Sequence, residues 1–225
     1  MKNQPKSPNR LVASLLGMSL VGILLLIIRI VSSDSTRYIY LIWNLFLAVV
    51  PALLAWWLIE RLKKHRWSDP KQIIITIGWF LFLPNSFYLV TDFVHLRETF
   101  EASLVYDIVM FTSFAVSGLI FGYLSVFLVH KSLTKRINTK KSWQIVGLVF
   151  FVCSFAIYLG RYTRWNTWDV LLKPAGLLFD VSDRVVNPIA HSQTYETTLI
   201  FFILLTSIYW VIWESARYLK SETKT

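Results

Sequence analysis

Residues 11–31 read LVASLLGMSLVGILLLIIRIV, an apolar run interrupted by a single charge, Arg29. As a helix rising ~1.5 Å per residue, a run of this length crosses a hydrocarbon layer of ~30 Å. A basic start (Lys2, Lys6, Arg10), an apolar stretch and the small pair Ser32-Ser33 also describe a secretory leader. The run exceeds the ~7–15 apolar residues of such a leader, so it reads as a retained span. Arg29, near its far end, is placed to snorkel to the headgroups.

Five further runs follow the same rule. They cover residues 39–59, with Asn44 and Pro51 inside; 73–90, interrupted by Pro84-Asn85; 104–129, with Asp107 near its start; 143–159; and 197–213, which closes on Tyr209, Trp210 and Trp213. The chain is 55% hydrophobic and 16% charged, against about a quarter charged in soluble domains. That balance excludes a soluble helical protein. The expected fold is all-α: an integral membrane bundle of about six transmembrane helices, with spans near 11–31, 39–59, 73–90, 104–129, 143–159 and 197–213. Six spans and their connectors fill residues 1–225 as a single transmembrane domain.

The formal charge of +10 is a matter of orientation rather than of nucleic-acid binding, and the expected partners are membrane lipids. Of the 23 Lys and Arg, 16 fall in four segments: the N-terminus, residues 60–72, residues 130–142 and the tail after Trp213. Basic residues accumulate in cytoplasmic loops. A layout with both termini in the cytoplasm places all four segments there, and nine of the 13 acidic residues outside. The expected location is the cell's cytoplasmic membrane. Cys153, the single cysteine, excludes an internal disulfide and a cysteine-based metal site.

The longest connector, residues 160–196, then lies outside. Leu177, Leu178, Val181 and Val185 share one helical face, and Asp180, Asp183 and Arg184 another. This suits a short interfacial helix, or one packed on the bundle, ended by Asn187-Pro188. In the fourth span Ser113, Ser117, Gly118 and Gly122 allow close helix contact.

Polar side chains inside spans are costly and mark function. Asn44 and Asn85 lie at one depth below the outer rim, where the two amides can meet. Pro84 deprives the Phe80 carbonyl of its helical partner. The result is either a kink, with Asn85 or a neighbour satisfying that carbonyl, or a broken helix lining a cavity. If the helix continues, Asn85, Tyr88, Asp92 and His95 share an arc of about 80°. Asp92 and His95, three apart, can reach one metal ion or one proton. Asp107 at the start of the fourth span also suits a helix N-terminus electrostatically. Asp92, His95 and Asp107 are therefore the candidate catalytic and metal-ligating set, and a divalent metal ion is the one cofactor the pattern admits. Arg161 and Arg164, beside Asn166 and Asp169, can touch lipid phosphates or clamp a phosphate or carboxylate. With Asn44, Asn85 and Tyr88 they form the candidate substrate-binding set.

The stretch from Leu81 to Leu96, LFLPNSFYLVTDFVHL, closely resembles the signature of the domain of unknown function 1361 family, uncharacterised bacterial membrane proteins. Trp43–Ala48, Tyr106-Asp107 and Gly160–Asp169 are similar to its other characteristic segments, and the resemblance covers roughly residues 30–215. Ser86-Phe87 stands where relatives are expected to carry Ala-Pro. The resemblance implies a multipass membrane protein and no particular chemistry.

Three functions are open to such a rim. The leading one is a membrane-embedded enzyme acting on a lipid or envelope-linked substrate. The others are a small-solute transporter, which needs polar lining in the inner half where the sequence offers almost none, and a non-catalytic accessory or assembly protein.

Overall fold

Each apolar run forms a helix, and polar connectors join them. The computed structural model describes residues 8–98 and 101–222, so Lys2, Lys6 and Lys224 of the basic segments lie outside the described residues. The helices are α1 (Pro8–Ser33), α2 (Tyr40–Arg61), α3 (Pro70–Tyr88), α4 (Glu101–Leu133), α5 (Thr139–Tyr162), α6 (Asp169–Leu172), α7 (Pro174–Val186) and α8 (Ser192–Glu222), with a 3₁₀ segment, Leu89–Glu98, after α3. Six of these segments are long and apolar enough to cross a membrane. The chain is thus an all-α, multi-pass membrane bundle. Its exterior agrees: Leu16, Ile28, Leu53, Trp56, Leu148 and Val211 all lie exposed on the span surfaces, as lipid-facing positions require.

Alternating spans put the basic connectors at one end of the bundle, here the basic end, and the 160–191 connector at the other, the connector end. The interior falls into two apolar clusters. One joins α2, α3, α4, α5 and α8 around Leu83, Phe87, Phe150, Cys153 and Tyr209. The other joins α1, α2 and α4 around Leu26, Leu41, Ala48, Met110 and Phe114. The α3–α4 crossing depends on small residues. A Cβ on Gly118 would lie 2.5 Å from the Ser86 carbonyl oxygen, and one on Gly122 2.7 Å from the Phe87 ring. Bare backbone at these two positions lets the helices approach. Ser86 in turn donates to the Ala48 carbonyl at 2.7 Å, tying α3 to α2 just before Pro51.

Pro84 does not break α3, which runs on to Tyr88. The change of winding comes one turn later, at Leu89. Asn85 donates to the Phe82 carbonyl at 3.0 Å, not to the Phe80 carbonyl that the proline ring displaces. At the other end of the bundle, His130 is buried between Tyr209 (2.8 Å) and Ser142 (3.3 Å), with its ring stacked 4.0 Å from that of Trp213. Gln72 and Ser125 are buried in the same half. The half toward the basic end thus holds more polar groups than its sequence suggested.

α7 is the short helix expected in the last connector, and it packs on the bundle. Arg184 and Asp180 face the bundle with Leu177 and Val181, whereas Leu178, Phe179, Val185 and Val186 point outward. The boundary between its apolar and polar faces, rather than one whole face, meets the other helices. Trp165 donates to Asp180 at 2.7 Å, Tyr195 to the Arg184 carbonyl at 2.7 Å, and Arg184 lies over the Tyr158 ring.

Candidate functional site

α2 and α5 both pack on α3 and scarcely on each other. The space left between them at the connector end is a cavity of about 720 Å³. Helical periodicity decides what faces it. Tyr40, Trp43, Asn44 and Leu47 on α2 follow the i, i+3, i+4, i+7 stripe, and Leu81, Pro84, Asn85 and Tyr88 repeat it on α3, with Phe80 beside them. From α5 come Val152, Ala156 and Arg161, and the connector adds Arg164, Trp165, Asn166 and Thr167.

The 3₁₀ segment brings in Asp92 and His95. At three residues per turn, side chains three apart eclipse one another, so this pair stays on one edge although the α-helix expected there does not continue. The Thr91 hydroxyl donates to the Tyr88 carbonyl at 2.7 Å where the winding tightens.

Asp92 is 1% exposed. One of its carboxylate oxygens accepts from Asn44 Nδ2 at 3.2 Å, and the other lies 3.5 Å from Arg161 Nη1. The same guanidinium donates to the Tyr88 hydroxyl at 3.5 Å and lies 3.2 Å from His95 Nε2. Arginine carries only donors, so Nε2 is the acceptor in that contact and the imidazole proton sits on Nδ1. Arg161 is therefore the hub, held by three groups at 3.2–3.5 Å rather than by one short pair.

A Cβ on Gly160 would come within 3.2 Å of the Tyr88 ring. The glycine lets that tyrosine lie beside Arg161. The Tyr40 ring stands 5.4 Å from that of His95, and among the described residues its buried hydroxyl is without a hydrogen-bond partner.

Arg164 has φ +58°, the left-handed conformation in which helices usually close on Gly or Asn. This bend lets the Trp165 N–H reach back to the Leu159 carbonyl at 3.2 Å. The Arg164 side chain is exposed at the cavity mouth, and among the described residues its guanidinium has no hydrogen-bond or ion-pair partner.

The candidate residues divide as follows. Asn44, Asn85, Tyr88, Asp92, His95, Arg161, Arg164 and Asn166 all line the cavity. The two amides do not meet, because Asn44 binds Asp92 while Asn85 binds Thr167 at 2.9 Å. Asp169 is buried beneath the connector, accepting from the Asn166 N–H at 2.8 Å.

Asp107 is elsewhere. It is fully buried against Arg29, with Nε–Oδ1 at 2.6 Å and Nη2–Oδ2 at 3.3 Å. Arg29 thus reaches inward to a carboxylate rather than out to headgroups. α4 starts at Glu101, which puts Asp107 beyond the first turn where a helix-terminus role would apply. The trio expected to converge on a metal is divided, and among the described residues no three His, Cys, Asp or Glu side chains come together as a metal site. The Arg161 cation lies next to both Asp92 and His95.

Two residues at the cavity were missed. Tyr40 stands one helical turn before Asn44, a spacing that could have revealed it. Thr167 has no such signal, since only the fold of the connector aims it at Asn85.

A family model described as a protein of unknown function, DUF1361, matches residues 43–212. No curated protein and no solved structure matches the chain.

Proposed function

The chain belongs to the DUF1361 family, whose description names no activity, and from that premise we propose that it is a membrane-embedded enzyme acting on an anionic amphiphile. The observation that carries this reading is the cavity itself: Asp92, His95, Asn44, Tyr88 and Arg161 meet at its polar end, and Phe80, Val152 and Ala156 line the rest. Two arginines face it against one carboxylate, Asp92, and an excess of positive charge in a low-dielectric site favours an anion. α2 and α5 do not pack on each other beside the cavity, and a lipid or envelope-linked molecule would enter through that opening from the bilayer. The basic end would face the cytoplasm, and the site would open on the outer side of the cell membrane.

Binding and proton transfer are linked through Arg161. An anionic group taking its guanidinium competes with the long contacts to His95 and Tyr88. His95 Nε2 is then released with its lone pair free to accept a proton, and the Tyr88 hydroxyl is free to donate one. Asp92 and Asn44 keep the guanidinium aimed into the cavity. Transport has less support. Leu83, Phe87, Phe150 and Cys153 fill the bundle on the inner side of the polar site, and beyond them the two His130 ring nitrogens are taken up by Tyr209 and Ser142.

The test uses protein in nanodiscs incubated with a total membrane lipid extract and followed by mass spectrometry. Wild type is expected to consume an anionic species. His95→Gln and Asp92→Asn are expected to slow that consumption by ~10²-fold or more, the usual size of a general acid–base contribution. No consumption of any species by the wild-type protein would overturn the enzymatic reading.

A further inference from the structure

A second cavity, of about 260 Å³, lies toward the basic end where α4 closes over the α3–α5 contact; Thr76, Trp79, Phe80, Ile145 and Val149 line it together with α4 residues such as Val126, and it has almost no polar surface. Phe80 lines both cavities. On α3 the lining residues run from Tyr88 through Pro84 and Phe80 to Thr76; on α5 they run from Arg161 through Ala156 and Val152 to Val149 and Ile145. These are successive turns of two helices in contact, so the two cavities are consecutive stretches of one seam, with the half-buried Phe80 ring at the divide.

The length of the seam says what it can hold. From Arg161 to Ile145 is about 24 Å along α5 at 1.5 Å per residue. Arg161 lies one residue from the end of α5. One leaflet of hydrocarbon is about 15 Å, half of the ~30 Å core. The apolar path therefore continues past the bilayer midplane. A solute without a tail has no use for the lower cavity, and water gains little there, because the Thr76 hydroxyl already bonds Trp67 and the Gln72 carbonyl.

We infer that the two cavities hold one molecule: an amphiphile with a phosphate-type head between Arg161 and Arg164, and one apolar chain laid along the α3–α5 seam past Phe80 and across the midplane. This rests on the amphiphile reading above and adds the class of substrate, a single-chain or polyisoprenoid-like phosphate rather than an ordinary two-chain lipid confined to one leaflet. The head is set by two guanidiniums, one of them at the mouth and without a partner among the described residues. The single chain is set by the small volume of the lower cavity, about 260 Å³ against about 720 Å³ for the upper one.

The experiment uses two long-chain monoalkyl phosphates, one with a photoreactive diazirine beside the head and one with it at the chain terminus, reacted with the full-length protein in nanodiscs and mapped by peptide mass spectrometry. The head-labelled probe is expected on the peptides of Trp43, Asn44 and Trp165. The terminus-labelled probe is expected on those of Thr76, Ile145 and Val149. In Val149→Trp, which plugs the lower cavity, terminal labelling there should fall at least tenfold with head labelling unchanged.

Head labelling in the cavity with terminal labelling confined to lipid-facing Leu148 and Phe151 would overturn the seam and leave the amphiphile reading intact. Absence of head labelling in the cavity, or equal labelling by the uncharged alkanol, would overturn the reading beneath it. Because the wild-type pattern alone decides both points, misfolding of Val149→Trp would not rescue the inference.

Discussion

Arg29 meets Asp107 through two guanidinium nitrogens at 2.6 and 3.3 Å, whereas Arg161 stands 3.5 Å from Asp92 and shares itself with Tyr88 and His95. The first geometry is that of a saturated pair, and the second leaves a guanidinium able to accept another anion. Removing one partner of a buried pair strands the other charge, at about 3 kcal/mol or more. Arg29→Met is therefore expected to lower stability by about that amount, read by thermal unfolding in detergent, with monoalkyl phosphate binding per folded protein unchanged. A loss of binding in the folded fraction would join Asp107 to the site after all. Arg164 poses the opposite case. A left-handed conformation costs a non-glycine residue about 1 kcal/mol, so Arg164→Gly should raise stability by roughly that much. It should also weaken phosphate binding roughly tenfold, since a hydrogen bond to a charged group is worth about 1.5 kcal/mol or more. Equal binding by the two proteins would remove Arg164 from the site.

Among the elements, the α3–α4 crossing and the end of α7 offer separate tests. Gly118→Leu forces atoms against the Ser86 carbonyl. Overpacking of this kind costs about 1–3 kcal/mol, and the displacement of α3 should also loosen Tyr88 and Asp92 above it. Thermal unfolding measures the first effect and phosphate affinity the second. At the C-terminal end of α7, Asp183 accepts from Asn187 at 2.7 Å and lies 2.8 Å from His191. These hydrogen bonds, Asn187 first, hold its carboxyl below the ordinary carboxylate value. A depressed carboxyl pKa contributes stability at pH above the unfolded value, and that contribution is lost as pH falls through the folded one. Amide exchange at residues 186–194 should accordingly be constant from neutral pH down to the ordinary carboxylate range and lose protection below it, once the intrinsic pH dependence is divided out. In Asp183→Asn that acid step should be absent.

For the molecule as a whole, the distribution of charge makes a prediction about topology. The basic connectors end α2, α4 and α8 on one side, and α6 and α7 lie on the other. Cys153 is fully buried, so an introduced cysteine is the accessible thiol. Lys64→Cys is expected to react with a membrane-impermeant maleimide only after permeabilisation, and Ala175→Cys in intact cells. The reverse pattern would put the cavity on the cytoplasmic side and remove envelope-linked substrates from consideration.

Six spans and their alternation could be read directly from residues 11–213, because insertion into lipid is a local property: each run contributes its own transfer free energy, and Lys and Arg bias the segments that flank it. For the same reason Asp92 and His95, fixed three residues apart, stay on one edge under either helical winding. Partners were not legible. Nothing local distinguishes the Asp107 that meets Arg29 from the Asp92 that meets Asn44 and Arg161, since those contacts span 78, 48 and 69 residues. They were decided by which helices pack together, and that depends on Gly118 and Gly122 admitting α3 and on α2 and α5 both choosing α3 over each other. The cavity is the space that choice leaves open, a property of long-range shape that no single span encodes.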